Sequence, residues 1–264
     1  MFVSPARLAF PICVSERDYI FMKTRSDTSS VLDKSDVLLE ARGLSKGFPG
    51  VWEHLILDKL DFDVRSGEVH TLLGEHGAGK TVIANILSGY YETTEGEIRV
   101  KGKLVHFRSP REGLAHGIAM VHQELMLVPA FTVAENIMVG LDAPLFSYDI
   151  TGVENRIRML VERYGLQVDP KALVEDLSAG QQQRVEILKV LFHEPEVLLL
   201  DEPTSLLTPS EADQLFIVLR AMADDGQGIV FIFHKMREVF AVSDRVTVLK
   251  LGKTQGTCHI TETN

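Results

Sequence analysis

Cysteine is nearly absent: Cys13 and Cys258 are the only two in 264 residues, and they lie near opposite ends of the chain. Two thiols so placed build neither a disulfide framework nor a zinc site, and a reducing compartment is expected. No apolar run approaches the ~18 residues that a bilayer-crossing helix needs, so any membrane association is expected to come through another subunit. Basic residues are in deficit. The formal net charge is −10, and an acidic surface repels phosphate backbones, which disfavours a nucleic-acid partner. Histidines 70, 106, 116, 122, 193 and 259 show no metal-ligand spacing. What is plentiful is apolar residue, 45 % of the chain, ample for a globular core in one large domain or two small ones.

The first residues, Met1 to Val14, have a weakly signal-like look. Their apolar stretch is short, broken by Pro11 and preceded only by Arg7, so secretion is not expected. Residues 26–36 are polar and expected to be disordered, and Met22 is an alternative start. Residues 1–36 therefore read as an extension without catalytic residues, ahead of a domain over 37–264.

From residue 37 the pattern becomes regular. Val37–Ala41 and Leu60–Val64 alternate apolar and polar residues as half-buried strands do, and Glu97–Lys101 followed by Gly102 reads as strand and turn. Thr151-Gly-Val-Glu154 has capping-box spacing and predicts a helix with apolar positions at 153, 157, 160, 161 and 164. Thr208-Pro209-Ser-Glu211 repeats that logic with proline at the first helical position, and its stripe Ala212, Leu215, Phe216, Leu219, Met222 faces a core. Val197–Leu200 and Gly228–Phe233 are apolar on both faces, as central parallel strands are.

The segment Gly74-Glu75-His76-Gly77-Ala78-Gly79-Lys80-Thr81 fits the phosphate-binding loop G-x-x-x-x-G-K-[ST] without a mismatch. The run Val69–Leu73 before it reads as a buried strand, and Val82–Leu87 after it as a helix. Glycines let successive amides turn toward one anion, and the helix N-terminus adds partial positive charge. Lys80 is expected to reach the outer phosphates of a nucleoside triphosphate, and the Thr81 hydroxyl to ligate magnesium.

Leu198-Leu-Leu-Asp201-Glu202 after a strand reads as a Walker B pattern. Asp201 suits a hard cation, and Glu202 suits a base that orients or deprotonates attacking water. Alone, the pair is equally an acidic strand end. Leu177-Ser178-Ala179-Gly180-Gln181 precedes a helical run, Gln182 to Phe192; Ser178 and Gly180 could bind an anion there, although serine is also simply a good N-cap. The phosphate loop, the acidic pair and His234 all follow strands, which places them at one carboxyl edge of one sheet.

Taken in order, Gly74–Thr81, Gln123, Leu177–Gln181, Leu198–Glu202 and His234 resemble the nucleotide-binding domain of ABC transporters, over about Leu39 to Thr261. The resemblance implies an α/β fold: a P-loop NTPase core with a mostly parallel central sheet, an antiparallel β subdomain, and a helical signature subdomain at about 125–190. It implies two such domains pairing head to tail, with ATP and magnesium buried between the phosphate loop of one and the signature Ser178, Gly180 and Gln181 of the other. Phe48, in Lys46-Gly-Phe48-Pro-Gly50, would stack on adenine. Gln123 would sense magnesium and water while its loop touches a permease, and His234 would contact the γ-phosphate. Gly117-Ile-Ala-Met-Val-His-Gln123 and Thr132-Val-Ala-Glu-Asn136 are similar to importers of simple sugars and nucleosides; Arg163–Pro170 and Asp176–Lys189 lean toward the nucleoside branch.

Departures from that pattern are His76 for asparagine, Ala179 for the first signature glycine, Thr208 for an aspartate, and an insertion at Trp52–Ile56. Importers of this branch usually carry two nucleotide domains, and no second phosphate loop follows here. The expectation is an ATPase subunit at the cytoplasmic face of the membrane, working with permease subunits and an extracytoplasmic solute-binding protein. Two rivals stay open: a soluble ATPase of the same type acting on ribosomes or DNA, and a non-hydrolytic ATP-binding half.

Overall fold

Alternation of apolar and polar residues becomes two sheets. In the computed structural model the described residues are 37–48, 55–141, 149–233 and 235–262; the expectations for the extension, for the inserted residues Trp52 to His54 and for His234 lie outside them. In chain order the elements are β1 (Val37–Lys46), β2 (Leu57–Arg65), β3 (Val69–Gly74), α1 (Lys80–Leu87), β4 (Glu95–Val100), β5 (Lys103–Val105), α2 (Pro110–Ala115) and β6 (Ile118–Val121). Then follow α3 (Val133–Val139), α4 (Ile150–Tyr164), α5 (Ala179–Leu191), β7 (Val197–Asp201), α6 (Pro209–Asp224), β8 (Gly228–Phe233), α7 (Met236–Val242), β9 (Arg245–Lys250) and β10 (Lys253–His259). The first sheet is antiparallel, with order β2-β1-β4-β5; the second has order β10-β9-β3-β8-β7-β6. In the second, every pair from β9 to β6 is parallel, and only the β9–β10 hairpin is antiparallel.

The central strands are apolar on both faces because both faces are covered. Along β8, Ile229, Phe231 and Phe233 join a core built with the helices, whereas Val230 and Ile232 join a core shared with the antiparallel sheet and α1. In β7, Leu198 and Leu200 face the helices, and Val197 and Leu199 the other side. A two-residue period applied to continuous apolar sequence thus feeds two cores from one strand.

Local signals place the helix starts, with one correction. Thr208 caps α6 in a capping box with Glu211, and proline occupies its first turn as expected. For α4 the expected box at Thr151 and Glu154 does not form: Asp149 is the N-cap, and its side chain accepts from the Thr151 amide. Aspartate competes well for a cap, and starting at Ile150 keeps Val153 and Ile157 on the buried face. Leu160 and Val161 pack partly against the same core.

Candidate functional site

The loop after β3 is shaped by glycines where a side chain has no room. A Cβ at Gly74 would stand 2.5 Å from the Leu249 carbonyl oxygen, and Gly79 adopts φ +102°, with a Cβ position 2.6 Å from Leu57 Cδ2. Gly79 is the N-cap of α1 and contributes no side-chain cap. The first helical bond runs from the Ile83 amide to the Gly79 carbonyl at 3.0 Å. The amides of Lys80, Thr81 and Val82 therefore precede that bond, at the positive end of the helix. Lys80 Nζ folds back over the loop and donates to the carbonyls of Gly74 at 2.7 Å and Glu75 at 3.0 Å. Burial pushes the Lys80 ammonium below the ordinary lysine range, while the charges of Glu202 and Asp201 work the other way. Glu75, His76 and Gly77 are exposed, and Ala78 is buried beneath them.

Beside this loop, β7 ends at Asp201, which is only 3 % exposed. Its Oδ1 is buried without a hydrogen-bond partner, and the Thr81 hydroxyl lies near the same carboxylate. Burial pushes the Asp201 carboxyl above the usual range; the nearby Thr81 hydroxyl and the Lys80 charge oppose the shift, and Glu202 reinforces it. The next residue turns sharply. Glu202 has φ +46°, an uncommon conformation for a residue with a side chain, and its amide donates to the Ile232 carbonyl of β8 at 3.2 Å. Gln123, just past β6, donates from Nε2 to Glu202 Oε2 at 3.4 Å. Lys80, Thr81, Asp201, Glu202 and Gln123 thus meet at the carboxyl edge of β3, β7 and β6.

A cation site is implied by the donors themselves. Among the described residues no group of three or more histidine, cysteine or acidic side chains could cage a metal. One orphaned carboxylate oxygen with a hydroxyl alongside is what magnesium needs when phosphates and water complete its shell. The residues fit that ion.

The other expected residues stand apart. Phe48 is half-buried; its ring and that of Tyr91 meet nearly at right angles with centroids 5.4 Å apart, and Lys46 Nζ lies 5.0 Å from its centroid. Tyr91 escaped sequence reasoning, although its place directly after the phosphate-loop helix was a signal. Ser178 caps α5: its hydroxyl accepts from the Gln181 amide at 3.3 Å, and Gln181 Oε1 accepts from the Ser178 amide at 3.0 Å. Ser178 and Ala179 are exposed at this helix start, while Gly180 is buried against Glu211, whose carboxylate a side chain there would strike. These hydrogen bonds stay within residues 178–181, and no hydrogen bond among the described residues joins them to the loop at 74–81.

Comparison with known proteins bears on the whole arrangement. A family described as ABC transporter matches residues 57–205. The chain is 47 % identical over 204 residues to the nucleoside import ATP-binding protein NupA of Lactococcus lactis subsp. cremoris, covering 77 % of this chain and 40 % of that protein. It is 42 % identical to the glucose import ATP-binding protein TsgD13 of Haloferax volcanii, covering 83 % of this chain and 44 % of the relative. The ribose import ATP-binding protein RbsA 1 of Rubrobacter xylanophilus is 46 % identical, with coverages of 83 % and 44 %. The chain spans less than half the length of these curated relatives. Among solved structures, a nucleotide-free ATP-binding cassette from an ABC transporter superposes with TM-score 0.75 at 23 % identity, covering 84 % of this chain and 91 % of that one, a likeness of fold. CbiO1 from Clostridium perfringens, part of the ABC transporter complex cbiONQ, gives TM-score 0.74 at 26 % identity, with coverages of 86 % and 90 %.

Proposed function

The chain belongs to the ABC transporter family, and from that premise we propose that it binds and hydrolyses ATP to energise uptake of a nucleoside or simple sugar. The observation that carries this reading is the buried, unpartnered Oδ1 of Asp201 beside the Thr81 hydroxyl, on the same sheet edge as Lys80 and the Gln123–Glu202 contact. The amides of Lys80, Thr81 and Val82 with Lys80 Nζ bind the β- and γ-phosphates. Thr81 and Asp201, together with Gln123, would hold magnesium, which would supply neutralisation of charge on the phosphate oxygens. Glu202 and Gln123 orient a water in line with the γ-phosphorus. As its oxygen bonds to phosphorus, the bond to the bridging oxygen of ADP breaks, and Glu202 takes the water's proton.

Within this reading Phe48 stacks on adenine and His234 contacts the γ-phosphate. Ser178, Gly180 and Gln181 cap the triphosphate held by a second domain in a head-to-tail pair; the helix start they form, exposed at Ser178 and Ala179, makes no bond to this chain's own phosphate loop. A helical subdomain at about 125–190 carries that surface toward permease subunits at the cytoplasmic face of the membrane, with an extracytoplasmic binding protein delivering the solute. The relatives named for nucleoside, glucose and ribose import support the solute class. Titration calorimetry with ATP and magnesium, paired with a phosphate-release assay, tests the core of the proposal. Binding followed by magnesium-dependent release is expected; absence of heat at millimolar nucleotide overturns it.

A further inference from the structure

Between β6 and α3 the chain runs from His122 to Phe131 with neither helix nor strand, yet polar side chains from two helices grip its main chain. At Met126 the amide donates to Glu186 Oε1 at 2.5 Å, and the carbonyl accepts from Lys189 Nζ at 2.7 Å. Glu186 is 5 % exposed, lies on α5 one turn before Lys189, and the two side chains approach to 3.4 Å. At Val128 the pattern repeats with a neutral partner: the amide donates to Asn136 Oδ1 at 2.7 Å, and the carbonyl accepts from Asn136 Nδ2 at 3.1 Å. Alternate residues are therefore held at both their amide and their carbonyl, and Leu127 between them packs against the helical core. Burying a carboxylate is costly unless it is paired and hydrogen-bonded. Here both members of the ion pair are directed at the main chain of one residue, Met126, in an irregular segment. Three residues earlier on that segment, Gln123 reaches Glu202.

We propose that Glu186 and Lys189 are positioning residues, which set Gln123 against Glu202 by fixing the main chain at Met126 to α5. The segment carrying Gln123 and the helix opened by Ser178 then move as one body. This rests on the reading of Glu202 as the base in ATP hydrolysis. Neither residue needs to touch nucleotide, so their loss separates turnover from binding.

The experiment compares Glu186→Ala, Glu186→Gln, Lys189→Met, Gln123→Ala and the double variant Glu186→Ala/Gln123→Ala in the full chain. Without nucleotide, amide hydrogen exchange over residues 122–128 rises in Glu186→Ala and in Lys189→Met. With ATP and magnesium, Glu186→Ala lowers kcat on the order of tenfold, as expected for one lost charge-assisted hydrogen bond, while KM and the calorimetric affinity hold. Glu186→Gln keeps an acceptor for the Met126 amide and recovers most of the rate. In the Gln123→Ala background, Glu186→Ala adds no further loss, because the two act through one contact. Unchanged exchange, an unchanged kcat, or losses that multiply in the double variant overturn the proposal. If Glu186→Ala fails to fold, Lys189→Met decides it by the exchange and kcat readouts, with Glu186→Gln as the near-wild-type control. A wild-type chain that releases no phosphate sinks the ATPase reading instead, and the exchange measurement then settles the anchoring on its own.

Discussion

The central parallel sheet has two polar ends, built on opposite terms. At the amino ends of β3 and β9 the buried charges are matched. Arg245 donates to Glu68 Oε1 at 3.0 Å and to Asp63 Oδ1 at 2.7 Å, and Glu68 also accepts the Arg65 amide at 2.7 Å. His70, wholly buried, is held by the Asp63 carbonyl at 2.6 Å and the Thr247 hydroxyl at 2.8 Å. Asp244 accepts from the Val69 amide and from Arg220. At the carboxyl ends of β7 and β3, Asp201 keeps an orphaned oxygen, Glu202 sits at φ +46°, and α1 begins with no side-chain cap. Satisfied polar groups staple β2 and its sheet to the parallel sheet. Unsatisfied ones lie where, in the proposed reading, a triphosphate and its cation would supply the missing partners.

The largest test of that contrast is Glu202→Gln. Removing the base should cut phosphate release at least about a hundredfold while calorimetric affinity for ATP with magnesium survives. Full turnover in that variant would leave the carboxyl end without its assigned chemistry. At the opposite end, Arg245→Ala strips two carboxylates of their partner and should lower unfolding free energy by about 3–5 kcal/mol, read as a fall in the urea midpoint. Nucleotide affinity of the folded fraction should not change. A stable Arg245→Ala would mean that the matched end is no staple.

A smaller effect of opposite sign is expected at Asp201. Its folded carboxyl is pushed up by burial, so its contribution to stability is present below the unfolded value and is lost as pH rises through the folded one. Asp201→Asn removes that penalty at neutral pH. Its melting temperature should rise by about 2–4 °C per kcal/mol relieved, while magnesium no longer strengthens nucleotide binding. A lower melting point would show that the ionised carboxylate is already satisfied.

His70 gives a signal only in acid, vanishing near neutral pH, and the sharpest contrast. Burial pushes it down to about 3, so between the unfolded value of about 6.5 and that figure the unfolded chain binds a proton that the folded chain refuses. Stability should therefore drop as pH falls through this window, by at most about 1.4 kcal/mol per unit. A thermal-melt series should follow that slope in the wild type and flatten in His70→Gln. Equal slopes would remove histidine from the account.

Much of this was readable from residue order. The phosphate loop, the Thr208 cap and the two-faced strands at Val197–Leu200 and Gly228–Phe233 all came through, because loop conformation, capping and strand period are decided by neighbours along the chain. The start of α4 did not. Asp149 and Thr151 are both good caps, and the choice between them belongs to where Val153 and Ile157 find their core. Tyr91 against Phe48, and Glu186 with Lys189 on Met126, were invisible for the same reason: each pairs residues that only the folded sheet and helices bring side by side. Ser178 was marked by its cap, while its lack of a bond to this chain's own loop is a fact of three dimensions.

Consecutive residues thus determined a glycine-shaped loop between strand and helix, a strand ending in two acids and the family to which they point. The tertiary structure alone decided which polar groups were left wanting. Covering both faces of one sheet fixes which strands are neighbours. That order buries Asp201 with an oxygen unpaired, seats Gln123 against Glu202, and closes Arg245 onto Glu68 at the other end.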